Sequence, residues 1–318
     1  MIPKQFDHFL ESLEKLTDKQ RRYVEKVLKG NGPVEQIIEA LEQRLIDSPE
    51  CPCCHSASIN RHGKVNKMQR YRCKNCGKTF VATTGTPFER LHHKERWLDY
   101  FRCMLEGKAL RPSAKACGIN LKTAFNWRHR FLALPALLKA NHLEGIIEAD
   151  ETLFAYSEKG SKQLERKPRK RGMKAKKRGR SSEDWVPVLT VRDRGQHTFE
   201  AIVPHVTTDH LTKELGGKVE KDSVLCTDGY RPYIKFSENH DLVHKRLNIS
   251  AGVKVIDKVF HIQNVNAYHS RLKSWIKRFH GVATKYLENY LGWFRYLDTS
   301  ENLNKYSMFQ TQQQLIGT

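Results

Sequence analysis

Acid is scarce in this sequence. Over 318 residues, 35 Asp and Glu stand against 56 Lys and Arg, leaving a formal charge of +21. Such an imbalance favours polyanionic partners. Long apolar runs are lacking as well: none approaches the ~20 residues that a bilayer-spanning helix requires, and mean hydropathy is −0.65. The opening stretch MIPKQFDHFLESLEKL lacks the basic-then-apolar layout of a secretory leader, and no basic amphipathic segment reads as a surface anchor. These absences argue against a membrane protein, point to a cytoplasmic location and make nucleic acid the expected partner. The 39% of hydrophobic residues suffices for one sizeable core with smaller modules.

Cysteine is present, but four of the eight thiols do not have the spacing of a disulfide framework. Cys51 and Cys54 in CPCC, and Cys73 and Cys76 in CKNC, form two C-x-x-C knuckles ~20 residues apart. Four thiolates suit a closed tetrahedral Zn²⁺ site on a two-stranded ribbon. Cys53 is a bystander in this reading, and Cys103, Cys117 and Cys226 sit in apolar contexts as small core residues.

Before the ribbon, LTDKQRRYVEKVLKG opens with Thr17 and Gln20 in capping-box spacing and stops at Gly30. PVEQIIEALEQRLI then repeats apolar residues at helical intervals. After the ribbon, Trp97, Tyr100, Phe101, Met104 and Leu105 share one helical face. RPSAKACGINLKTAFNWRHRFLAL follows, with Gly118 at a sharp turn and Asn120 able to cap a second helix. That layout is a helix-turn-helix whose second helix presents Lys122, Thr123, Asn126, Arg128 and Arg130 to DNA; a helical hairpin with a solvated basic face has the same pattern.

From residue 145 the texture becomes strand-rich. GIIEADETLFAY, WVPVLTVRD and HTFEAIVPHV read as three strands, TDHLTKELGGK as a helix and SVLCTDGY as a further strand, giving a mixed α/β layer. Between the first two strands lies a run dense in Lys, Arg and Gly. Lys167, Arg169, Lys170, Arg171, Lys176, Lys177 and Arg178 make it a candidate DNA-backbone clamp.

Glu148 and Asp150 share one face of the first strand, and Glu151 points to the other. Asp228 ends the last strand before Gly229. If the strands are neighbours, Asp150 and Asp228 meet at one end of the sheet, where Mg²⁺ or Mn²⁺ would relieve their repulsion. An Asp-Gly pair also simply makes turns, so Asp228 has a plainer reading. NVNAYHSRLKSWIKRFHG lays Val265, Tyr268, Leu272, Trp275, Ile276 and Phe279 on one helical stripe. Asn266, His269, Ser270, Lys273 and Lys277 lie on the other, where the Asn266 amide suits a cation and Lys273 a phosphate.

With these motifs assembled, the chain resembles the DDE-type transposases of bacterial insertion sequences, in the subgroup with an N-terminal zinc ribbon and asparagine as third ligand. The likeness rests on CPCC…CKNC, SAKACGINLKTAFNWRHRF, EADET, VLCTDGY and NVNAYHSRLKSWIKRFHGVATKYLENYLGWF. It implies an α/β (α+β), ribonuclease-H-like catalytic domain over 141–300. Before it would come a helical segment (1–48), a zinc ribbon (49–82) and a helix-turn-helix domain (83–140), with a tail at 301–318. It also implies Asp150, Asp228 and Asn266 as ligands of catalytic Mg²⁺ or Mn²⁺, with Lys273 beside them. Cleavage and strand transfer on double-stranded DNA, at terminal repeats and target, by a homo-oligomer would follow. The missing third carboxylate makes Glu148 the nearest substitute and leaves Glu151 a supporting acid. A zinc-ribbon and helix-turn-helix regulator, or a decayed or domesticated transposase that binds without cutting, shares the N-terminal motifs, and a structure-specific nuclease would share the metal chemistry.

Overall fold

The computed structural model describes residues 33–66, 68–86, 88–137, 139–165 and 184–299. The capping-box segment 17–30, the basic run from Lys167 to Arg178 and the tail 301–318 lie outside them. The chain forms two compact units. One extends to Lys108 and takes in Pro112–Asn120; the other holds Ala109–Arg111 and the chain from Leu121.

In the first unit, helix α1 (Pro33–Asp47) precedes an antiparallel three-stranded sheet, β1 (Ile59–Val65), β2 (Met68–Cys73) and β3 (Thr79–Val81), in that order. The expected ribbon thus has a third strand. Its buried side stacks Tyr71 on Phe80 at 5.9 Å, with Cys51, Cys73, Leu45 and Ile59 around them. Helix α2 (Trp97–Leu105) buries Trp97, Tyr100, Phe101 and Met104 as its periodicity requires. Helix α3 (Leu110–Ala116) ends where Gly118 takes φ +61° and Ile119 N–H bonds back to Ala114 O at 3.0 Å. That left-handed turn is the reason for glycine there. Cys103 and Cys117 are buried with sulfurs 4.0 Å apart, as core residues.

The second unit begins with α4 (Leu121–Leu137) and is built on a five-stranded sheet in the order β6-β5-β4-β7-β8. β4 (Ile146–Ala155), β5 (Trp185–Asp193) and β6 (Thr198–Ile202) form an antiparallel meander. β7 (Val224–Thr227) and β8 (Val243–Arg246) run parallel to β4. The helices are α5 (Thr208–Leu215), α6 (Arg231–Asn239), α7 (Gln263–Ile276) and α8 (Leu287–Thr299).

Alternation along the strands sorts these helices onto two faces. Ile147, Ala149 and Leu225 pack with Leu211, Leu215, Tyr233 and Phe236 of α5 and α6. Ile146, Val224 and Cys226 pack with Ile262 and Val265 at the start of α7. Helix α7 is tied further by α8, where Trp275 meets Trp293 edge-on at 5.0 Å. Ion pairs reinforce this layer: Arg295 to Glu200 at 2.7 Å and Arg192 to Asp298 at 2.9 Å are buried, and the exposed Arg271 meets Asp298 at 2.7 Å. The mixed α/β layer is therefore present, with α6 and β8 added to what periodicity alone shows.

Candidate functional site

Strand β4 positions the first acids. Its parallel register with β7 sets Ile146 against Val224, Ile147 against Leu225 and Glu148 against Cys226. Two residues further along come Asp150, midway along β4, and Asp228, just past the carboxyl end of β7, so the register sets the two level where β7 stops. Ligands favour that end of such sheets, because the chains diverge there into loops. Asp228 Oδ1 accepts the Tyr230 N–H at 3.0 Å, which fixes the carboxylate in the turn that Gly229 (φ +79°) closes.

Helix α7 lies over the same face. His269 is buried, and its Nδ1 stands 3.7 Å from Asp150 Oδ2. Burial, and then the Lys273 charge, push the imidazole down to about 4, so it is neutral at pH 7. Asn266 one turn before and Lys273 one turn after are exposed on the same helix. The structure thus brings His269 of the polar α7 stripe to Asp150.

Glu148 and Glu151 part company as strand alternation dictates. Glu151 faces α6, where the buried Tyr233 hydroxyl is raised well above its ordinary value. Burial is the first cause, then the Glu151 carboxylate, with Asp150 and Asp228 adding to it. Of the three, Glu151 acts most strongly on the phenol. Glu148 is 1% exposed and fully engaged: Oε1 accepts from Asn264 Nδ2 at 3.0 Å and meets Arg194 at 3.2 Å and His261 at 3.3 Å. Oε2 takes the Val265 N–H at 3.0 Å. Ile262, the residue preceding α7, provides no side-chain cap; Glu148 supplies one from β4. It is a pin for the helix start rather than a spare metal ligand. Its signal was a lone acid between Ile147 and Ala149, where burial demands partners.

The residues expected to touch DNA divide. Lys122, Asn126 and Arg130 are exposed at four-residue intervals on one face of α4, and Thr123 is half-buried. Arg128 departs from the expectation. It is wholly buried, its guanidinium 5.0 Å from the Trp293 ring centre and 5.9 Å from that of Phe279. Beside it His129 stacks on Tyr286 at 3.9 Å and meets Asn289 at 3.2 Å. Arg128 therefore faces α8, because it falls on the apolar stripe of Ala124, Trp127 and Phe131.

In the other unit, ligand atoms of Cys51, Cys54, Cys73 and Cys76 all lie within 4.8 Å of one another. Cys51 to Cys76 is 3.7 Å and Cys54 to Cys73 is 3.6 Å. Sulfurs ~2.3 Å from one zinc in a tetrahedron stand ~3.8 Å apart, so this set is compatible with a structural zinc ion. Backbone N–H groups of Cys76 and Asn75 point at Cys73 and hold its thiol down, to about 6. Cys53 stays exposed outside the cluster. Among the described residues no helix is long and apolar enough to cross a membrane.

A protein of Halobacterium salinarum, described as an uncharacterized protein in transposable element ISH50, is 28% identical over 249 residues, covering 77% of this chain and 83% of the relative. Residues 142–297, the stretch from just before β4 into α8, match the ISXO2-like transposase domain. With Asp150, Asp228 and the α7 stripe inside that stretch, the chain carries an ISXO2-like transposase domain, similar to the DDE-type transposases.

Proposed function

We propose that the chain is the transposase of an insertion sequence, which binds the element's ends, cuts there and joins the freed 3′-OH to target DNA. One observation carries this reading: the parallel register of β4 and β7 sets Asp150 level with Asp228 where β7 ends, beneath a helix that sets His269 3.7 Å from Asp150. The strand order, a three-stranded meander followed by two parallel strands, supports a ribonuclease-H-like catalytic layer.

The donor set fits a hard cation, since two carboxylates and an amide oxygen are oxygen ligands throughout. Asp150, Asp228 and Asn266 would hold Mg²⁺ or Mn²⁺, which when bound lowers the pKa of the attacking water or 3′-OH and stabilises the leaving oxygen. Neutral His269 packs against Asp150 without competing for its charge. Glu148 fixes the first turn of α7 and with it Asn266. Lys273 holds a phosphate of the strand being cut. The exposed stripe Lys122, Asn126 and Arg130 reads the ends, and the basic run around Lys170, Arg171, Lys176 and Lys177 grips backbone. The four cysteines hold Zn²⁺ and so keep the ribbon folded.

Purified protein, incubated with Mg²⁺ or Mn²⁺, labelled duplexes ending in the element's terminal repeats and a target plasmid, should yield joined product. End binding without any cutting would instead support the binding-only reading that Asn266 invites.

A further inference from the structure

The ribbon is poor in acid. Residues 49–82 hold seven Lys and Arg against one acid, Glu50, which pairs with His55. Four thiolates on one Zn²⁺ carry two negative charges, so seven less one less two leaves the ribbon near +4. The charge is also placed. Strand β1 buries none of its residues. Asn60 pairs across with Arg72, and alternation puts His62 and Lys74 on that side of the sheet. Tyr71 and Phe80 occupy the opposite, buried side. Asn60, Arg61, His62, Arg72 and Lys74 line one groove of about 410 Å³ beside the Cys73 knuckle, and no carboxylate lines it.

We propose that this groove binds the phosphate backbone of duplex DNA. The Arg72 guanidinium, the Lys74 ammonium and the Asn60 amide around a concave polar surface match phosphate oxygens, while Arg61 at the groove's edge pairs with Tyr71 on the other side. A protein partner fits less well, because interfaces centre on apolar anchors. Val65 is the lone exposed large hydrophobic in 51–82 among the described residues. The contacts are to backbone, so they add affinity without reading sequence. The site rests on the reading of duplex DNA as substrate.

The test is binding of the full-length, zinc-loaded protein to a terminal-repeat duplex and to an unrelated duplex, across salt concentrations. In the Arg72→Gln, Lys74→Gln double variant, each lost contact removes ~0.9 from the slope of log K against log salt. The slope should become shallower by about 1.8, and affinity near 0.1 M salt should fall on the order of fiftyfold. Both duplexes should lose the same factor. Zinc content at the wild-type level shows the ribbon intact; if the double variant loses zinc, Lys74→Gln alone should shift the slope by about 0.9. An unchanged slope with zinc in place would overturn the site while leaving the transposase reading standing. So would a loss confined to the terminal repeat, or a changed oligomeric state with normal DNA binding. Failure of the wild type to bind any duplex would overturn both.

Discussion

At the scale of single residues, burial separates side chains that composition makes look alike. Arg128 and Arg130 are two apart on one basic helix, yet Arg128 is buried against Trp293 and Arg130 is exposed. The difference was legible in the sequence, since Arg128 shares the spacing of Ala124, Trp127 and Phe131; its charge concealed it. Arg128→Ala should cost about 2–4 kcal/mol of stability by emptying a packed site, seen as a lower denaturation midpoint, with end affinity per folded molecule unchanged. A specific loss of end binding at full stability would return Arg128 to the DNA surface. Glu148 poses the opposite case. Its carboxylate is inside because Asn264, His261, Arg194 and the Val265 N–H meet it there, and those partners come from segments more than 40 residues away. No local pattern could show them. Glu148→Ala strands Arg194 and His261 beside an empty site and should cost about 3 kcal/mol. Glu148→Gln keeps part of the hydrogen bonding and should cost less, a ranking that urea unfolding of both variants checks.

At the scale of elements, periodicity found what is amphipathic and missed what is short. The stripe of α7 came through because Val265, Tyr268, Leu272 and Trp275 are all buried. β8 did not, being a four-residue edge strand, VHKR, with Val243 55% exposed; an edge strand needs little apolar character. α6 is marked only by Pro232 near its start. Helix α4 serves two surfaces, and its buried side makes a pH prediction. Burial first, then the charges of Arg128 and Lys285, lower His129 to about 4, and burial does the same for His244, which meets Thr227 at 2.9 Å. Both are neutral in the fold, whereas the unfolded chain takes up protons below the ordinary value near 6.5. The unfolded state then binds more protons, so stability should fall as pH drops from about 6.5 towards 4. Denaturation midpoints at pH 7 and pH 5 measure this, and His129→Gln should shrink the difference. A midpoint that rises on acidification would contradict it. On the exposed side, Lys122→Ala with Arg130→Ala should weaken end binding about tenfold or more with unaltered stability, as gel-shift titration reports.

At the scale of the whole molecule, two units hold two kinds of donor set. Thiolates in the ribbon unit suit a closed structural site, and oxygen donors at the sheet end suit an open one that substrate can enter. The cysteine spacing was readable because C-x-x-C knuckles are local. That Asp150 and Asp228 come level was readable only on the condition that their strands are neighbours, since it depends on β4 and β7 being parallel partners 78 positions apart in register. Metal analysis of protein purified under reducing conditions should find one zinc per chain, and its removal should unfold the ribbon unit. The central claim is that Asp150 and Asp228 share a catalytic cation, and strand transfer by Asp150→Asn protein tests it most directly. With folding and end binding matched to the wild type, that variant should give no cleaved or joined product in Mg²⁺ or Mn²⁺, because the loss falls on the transition state. Joining at the wild-type rate by the Asp150→Asn protein would show that this sheet end is not where the DNA is cut.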